Sequence, residues 1–197
     1  MPPSDPPPGL PSELRPTLPA WAQVTPERLQ HIQRVAALVA EWSERLGLPD
    51  SERNRWLRGV WLHDALRDAP PEELAAFAPS TPGPPGLRHG PASAAHAKAE
   101  GESDRGVLDA VRYHSVGLAE WDMVGRVLYC ADFLEPGRTV LGARRAELAG
   151  RFPLDPQWVL YEVARVRMLH LVESGWAIPQ PTVRFWNSLV AGDASSR

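Results

Sequence analysis

Apolar residues recur at intervals of three and four along most of this chain, and no stretch shows the strict alternation of a half-buried strand. Thr25-Pro26-Glu27 reads as an N-cap, a first-turn proline and an acidic first turn. Leu29, Ile32, Val35, Ala36, Val39 and Leu46 then mark one face of a helix that stops at Gly47. A second helix starts near Ser51 and carries Trp56, Leu57, Val60 and Trp61 towards His63. The pattern predicts further helices over about Pro71–Phe77, Pro91–Glu100, Asp104–His114, Glu120–Phe133, Arg144–Ala149, Pro156–Ser174 and Thr182–Val190, with Gly175 as a stop. "APSTPGPPG" is a loop by composition, and the proline-rich residues 1–20 read as a flexible extension. No internal repeat is evident. The expected fold is all-α: one globular domain over residues 21–197.

Some polar residues fall on the apolar faces. His31 shares its helix face with Val35, Leu38 and Trp42, and His63 follows Trp56 and Val60 at helical spacing. His114 closes a helix whose apolar side holds Leu108 and Val111. Asp132 lies in "RVLYCADFLEPGR", a helix that is apolar nearly all round. A carboxylate in such surroundings must be paired, protonated or metal-bound, because a lone buried charge is costly. One inward histidine is explained by a hydrogen bond in the core. A set of histidines and aspartates is a different matter, since imidazole and carboxylate are the ligands that catalytic divalent metals use. In "VWLHDALRD" the adjacent His63 and Asp64 sit at a helix end, where neighbouring side chains can converge. The two oxygens of one carboxylate can bridge two cations.

The 197 residues are 43% hydrophobic, enough for one domain with a real core. A net charge of −3 gives no reason to expect a nucleic-acid or anionic-membrane partner. The single cysteine, Cys130, excludes an internal disulfide framework and a cysteine-based zinc site, and suits a reducing cytoplasm. No apolar run is long enough to span a membrane, and no secretory signal is visible at the N-terminus.

The segments "HIQRVAALVAEWSERLGL", "GVWLHDALRD", "LRHGPASA", "LDAVRYHSVG", "LYCADFLEPGR" and "RFWNSLV" together resemble the HD-domain metallophosphohydrolases. The closer likeness is to the YqeK-like branch, the bacterial symmetrical bis(5'-nucleosyl)-tetraphosphatases. It runs from about Glu27 to Val190, and the segments around His89, His114 and Asp132 are more specific than the HD dipeptide. The resemblance implies an all-helical HD fold with two divalent metal ions, iron first, with manganese, cobalt or zinc as alternatives. It implies that His31, His63, Asp64 and Asp132 hold one ion and that His89 and His114 hold the other, with Asp64 between them. His89 follows a Gly/Pro loop and would otherwise read as an exposed loop residue. The implied reaction is hydrolysis of diadenosine tetraphosphate and related dinucleotides to two nucleoside diphosphates. Two positions depart from the pattern: Arg67 stands where the family usually has lysine, and Ser115 where it has threonine.

Asp64 and Arg67 are accordingly the expected catalytic residues, and Arg67, Ser115 and Arg138 the expected phosphate contacts. Arg112 and Arg126 are weaker candidates, and Glu135 suits orienting a histidine or arginine rather than binding metal. His96 reads as exposed, Cys130 as a buried small hydrophobe, and Trp42, Trp56, Trp61 and Trp158 as core. Trp121 and Trp186, near helix ends, are candidates for stacking a nucleobase. Two alternatives stay open: an HD phosphohydrolase for another nucleotide, and a silent nucleotide-binding regulator. The sequence leaves the oligomeric state and the role of Asn187 undetermined.

Overall fold

The computed structural model describes residues 18–79 and 84–194, with Gly192, Asp193 and Ala194 as backbone only. Most of the proline-rich front, residues 1–17, and the centre of the Gly/Pro loop, residues 80–83, lie outside the described residues. The elements in order are α1 (Pro26–Arg45), α2 (Asp50–His63), α3 (Pro71–Phe77), a 3₁₀ turn (Pro85–Leu87), α4 (His89–Ala99), α5 (Arg105–Tyr113), α6 (Met123–Leu134), α7 (Gly142–Arg151), α8 (Pro156–Glu173) and α9 (Gln180–Ala194). No strand occurs among the described residues, and the fold is all-α as the periodicity predicts. None of the described helices is long and apolar enough to cross a membrane.

The helices start where side chains can satisfy their free N–H groups. The Thr25 hydroxyl accepts from Arg28 N, Asp104 from Val107 N, Asp122 from Val124 N and Asp155 from Trp158 N. Gly47 ends the first helical segment at φ +63°, a left-handed conformation that costs glycine little. Leu18 and Val24 pack against the main core, so its edge reaches back to the first described residue.

Two helices organise the interior. α2 packs against α1, α4, α5 and α6, while α6 packs against α1, α2, α5, α7 and α8. Their close approach is visible at Gly59, where a Cβ would sit 3.3 Å from a Val124 methyl. Trp42 stacks on Phe152 with centroids 3.9 Å apart, and its indole donates to the Ala149 carbonyl. The expected core tryptophans Trp42, Trp56 and Trp61 are buried. Trp158 is only half-buried, because Arg151 lies 4.0 Å over its ring and takes the place of apolar neighbours. Trp121 is buried too. Its indole donates to the Asp109 carbonyl, and Phe185 and Tyr129 cover its ring, so no nucleobase can reach it. His96 is not exposed as its alanine-rich surroundings suggested. It is half-buried between Trp21 at 4.3 Å and Phe77 at 4.5 Å, in the small second core formed by α3 and α4.

One guanidinium ties three helices together. Arg55 of α2 donates from Nε and Nη2 to both oxygens of Asp104, and from Nη2 to Asp122 at 2.6 Å. Both acceptors are N-cap residues, so Arg55 fixes the starts of α5 and α6 against α2. The hydrogen bonds from Arg55 hold the Asp104 carboxyl at about 2, below its ordinary 3.8, against a smaller opposing effect of burial. A depressed carboxyl stabilises the fold above its ordinary pKa, and that contribution is lost as pH falls through the folded value. Arg55→Ala is expected to lower stability by about 2 kcal/mol in urea denaturation at neutral pH. The difference from wild type should shrink between pH 4 and pH 2; a difference independent of pH would contradict the Arg55–Asp104 link.

Candidate metal centre

Asp64 ends α2 as its C-cap residue, and side chains of α1, α2, α4 and the end of α5 converge on it. His63 lies on the last turn of α2 and donates from Nδ1 to the Val60 carbonyl at 2.6 Å. His114, the C-cap of α5, does the same to Val111 at 2.8 Å, and His89, the first residue of α4, to Gly86 at 2.7 Å. All three use a carbonyl three residues back. The last carbonyls of a helical turn lack a backbone partner, so they are free to accept. His31 of α1 donates from Nδ1 to the Glu135 carboxylate at 3.1 Å. A carbonyl or carboxylate oxygen only accepts, so each Nδ1 carries a proton, and in the neutral ring each Nε2 keeps its lone pair.

The four Nε2 atoms face Asp64. Its Oδ2 lies 3.6 Å from His63 and 3.8 Å from His31; its Oδ1 lies 3.1 Å from His89 and 3.6 Å from His114. His89 Nε2 and His114 Nε2 are 3.0 Å apart. The donors thus form two groups, His31–His63–Asp64 and Asp64–His89–His114, each tight enough for one ion to reach all three atoms. All six expected ligand residues are buried, none more than 9% exposed. His31 Nε2 and His63 Nε2 are buried without a hydrogen-bond partner among the described residues. Orphaned lone pairs aimed at a shared carboxylate call for a cation between them. Nitrogen and oxygen donors of this kind fit a divalent first-row transition metal.

Asp132, one of the expected ligands, sits to one side. Its Oδ1 approaches His31 Nε2 at 3.2 Å and accepts from Arg138 at 2.9 Å, while Oδ2 lies 3.6 Å from Arg167. It falls outside the two compact donor groups, yet it faces the same His31 nitrogen. Glu135 orients both kinds of partner expected of it: Oε1 accepts from His31, and Oε2 from Arg34 at 2.5 Å and from Gly137 N at 2.6 Å. Burial works against its ionisation, but these donors hold its carboxyl at about 2. Asp64 and Asp132 are likewise held well below the usual carboxylate range although burial opposes it, Asp64 first by His63 and Asp132 first by His31. Burial lowers His63 to about 4. Burial also lowers His31, but Asp132, Glu135 and Asp64 outweigh it and raise the net value.

Gly90 brings α4 against the end of α5. A Cβ there would lie 2.9 Å from the Val111 carbonyl and 3.1 Å from His114 Cε1. Proximity of His89 to His114 therefore depends on a glycine, and His89 is a buried first-turn residue rather than an exposed loop histidine. Arg67 donates from Nη1 to the Gly86 carbonyl at 2.9 Å, and that nitrogen is equally close to His89 Nδ1. Both are donors, so the second distance is a contact; the two groups share the Gly86 oxygen. Ser115 Oγ lies 3.1 Å from His114 Nε2. Arg112 is exposed, and Arg126 donates to Gln157 of α8; neither makes a contact in this cluster. Four arginines that the sequence did not single out surround it: Arg28, bonded to Asp64 Oδ2 at 2.8 Å, Arg34, Arg145 and Arg167. Arg28 and Arg34 lie three residues on either side of His31, so helical spacing from that histidine would have found both.

A family model described as the HD domain matches residues 28–137, more than half of the chain. The chain belongs to the HD-domain family. Among its relatives, the symmetrical bis(5'-nucleosyl)-tetraphosphatase of Bacillus subtilis is 28% identical over 178 residues, which is 86% of this chain and 93% of that protein. The protein of the same name from Staphylococcus aureus is 31% identical over 100 residues, covering 49% of this chain and 50% of its own. A crystal structure of a predicted HD superfamily hydrolase involved in NAD metabolism, from Clostridium acetobutylicum, superposes with a TM-score of 0.73 at 20% identity. It covers 85% of this chain and 91% of its own, and it shares the HD fold.

Two substitutions separate the two donor groups. Asp64→Ala is expected to abolish metal retention in elemental analysis of the purified protein, because it removes the oxygens of both groups. Gly90→Ala is expected to release about one ion and keep the other, because it pushes His89 from His114 alone. Full retention in Asp64→Ala would exclude Asp64 as a ligand.

Proposed function

We propose that this chain is a metal-dependent hydrolase that cleaves diadenosine tetraphosphate, and related dinucleoside tetraphosphates, symmetrically into two nucleoside diphosphates. The observation that carries the reading is the convergence of four Nε2 atoms on the two oxygens of Asp64. The substrate is that in the names of the Bacillus subtilis and Staphylococcus aureus relatives.

His31, His63, Asp64 and Asp132 would hold one ion; His89, His114 and Asp64 would hold the other. When bound, two divalent ions supply Lewis acidity to phosphate oxygens and a water acidic enough to act as nucleophile near neutral pH. Glu135 keeps His31 in the tautomer that presents Nε2, and the Val60, Gly86 and Val111 carbonyls do the same for the other three rings. Arg67 lies beside His89 and Arg138 beside Asp132, so each can offer a guanidinium to phosphate oxygens. The Ser115 hydroxyl, next to His114, can donate to the same chain. A nucleoside diphosphate is a good leaving group, so no dedicated general acid is required. Iron, manganese, cobalt and zinc all accept this donor set, in which every side chain is imidazole or carboxylate.

Product analysis tests the proposal. Purified protein supplied with a divalent metal and diadenosine tetraphosphate is expected to release ADP alone. AMP with ATP would contradict symmetrical cleavage, and no turnover with any of the four metals would contradict the assigned substrate.

A further inference from the structure

Three arginines from three elements gather beside Asp132. Arg138 follows α6 and donates from Nη2 to the Asp132 carboxylate and its carbonyl. Arg145 of α7 lies 3.7 Å over the Phe133 ring and donates to the Phe133 and Val140 carbonyls. Arg167 of α8 lies over the Tyr129 ring at 4.3 Å and 6.0 Å from the Phe133 ring centre, and it donates to the Ser115 carbonyl. Its Nη1 is buried and has no hydrogen-bond partner among the described residues; Asp132 Oδ2 lies 3.6 Å from it.

The local charge does not balance. Glu135 is committed to Arg34, Gly137 and His31, with Arg138 a further 3.6 Å off. Counting Arg34 with the three arginines, four guanidinium groups face the two carboxylates of Asp132 and Glu135. Two positive charges are left over, and a metal held by His31 and Asp132 would add more. Like charges at this range repel. Arg145 registers it: burial first, then Arg138 and Arg167, hold its guanidinium below its ordinary range. A structural strut would need only one cation here. Arg138 is exposed and Arg145, Arg167 and Phe133 are half-buried, so solvent reaches the cluster.

We propose that Arg138, Arg145 and Arg167 form an anion subsite for a phosphate chain, extending from the Asp132 side of the donor cluster between α6, α7 and α8. Three planar forks on the same side of Asp132 match the several oxygens of a polyphosphate better than a single carboxylate does. The subsite rests on the proposed function for the linear polyphosphate; the surplus positive charge and the planar forks by themselves call for an anion such as a phosphate group. It would hold the phosphates on one side of the scissile bond, with Arg67 on the other.

Inorganic tripolyphosphate tests the subsite independently of any turnover. In calorimetric titration of the full chain, Arg145→Gln with Arg167→Gln is expected to weaken binding at least about tenfold, and the paired lysine variants to lose less. Arg112→Gln, an exposed arginine away from the cluster, is expected to leave it unchanged. Wild-type protein gives a second measurement that needs no substitution. Tripolyphosphate should slow phenylglyoxal modification of Arg145 and Arg167, mapped by peptide mass spectrometry, without protecting Arg112. Equal modification rates with and without tripolyphosphate, or unchanged affinity in a folded double glutamine variant, would overturn the subsite. A chain that binds tripolyphosphate this way but leaves diadenosine tetraphosphate intact keeps the subsite and loses the substrate assignment.

Discussion

The constraint on which this molecule turns is the double demand of a buried imidazole. Each ring has two nitrogens, and burial requires both to be accounted for. In all four clustered histidines Nδ1 is satisfied by an oxygen at hand, a backbone carbonyl for three and Glu135 for His31. That choice leaves four Nε2 atoms turned towards Asp64, with Asp132 also close to that of His31. Lone pairs and a carboxylate repel in a small volume unless positive charge lies among them, and the two donor groups around Asp64 could each hold a metal ion.

The rest of the fold reads as the means of holding that arrangement. The paired residues His63 and Asp64 sit at the end of α2, which touches four other helices, so movement of α2 would carry the shared carboxylate with it. Arg55, near the opposite end of the same helix, fixes the starts of α5 and α6, which deliver His114 and Asp132 at their far ends. Gly90 permits the contact between α4 and α5 that joins His89 to His114. Buried charge on this scale is expensive unless compensated. The arginines on Asp64, Asp132 and Glu135 supply compensation at the rim, where their long side chains can still reach water.

Local rules carried most of the secondary structure. Thr25 acts as the N-cap that its place before the apolar periodicity suggests, and Gly47 and Gly175 both adopt the left-handed conformation of a helix stop. The failures were of another kind. The small and polar sequence neighbours of His96 point to solvent, whereas Trp21 and Phe77, distant in sequence, enclose it. The place of Trp121 at a helix start suggests access to a ligand, while Phe185 from α9 decides its burial. Helical phase points Trp158 into the core, while Arg144 and Arg151 of α7 lie over its ring.

The sequence by itself determined that the chain is all-helical, where most helices begin and end, and that His31, His63, His114 and Asp132 turn inward, because periodicity and capping are local properties of neighbouring residues. The family likeness added His89, which periodicity alone would have left in a loop. Only the tertiary structure decided that Asp64 offers one oxygen to each histidine pair, that Asp132 stands aside with Arg138 and Arg167, and that Arg28 reaches Asp64. Those facts depend on how α1, α2, α6 and α8 are oriented about one another. A pattern along the chain can say which face of a helix is buried, but a distance between side chains on different helices is set by packing.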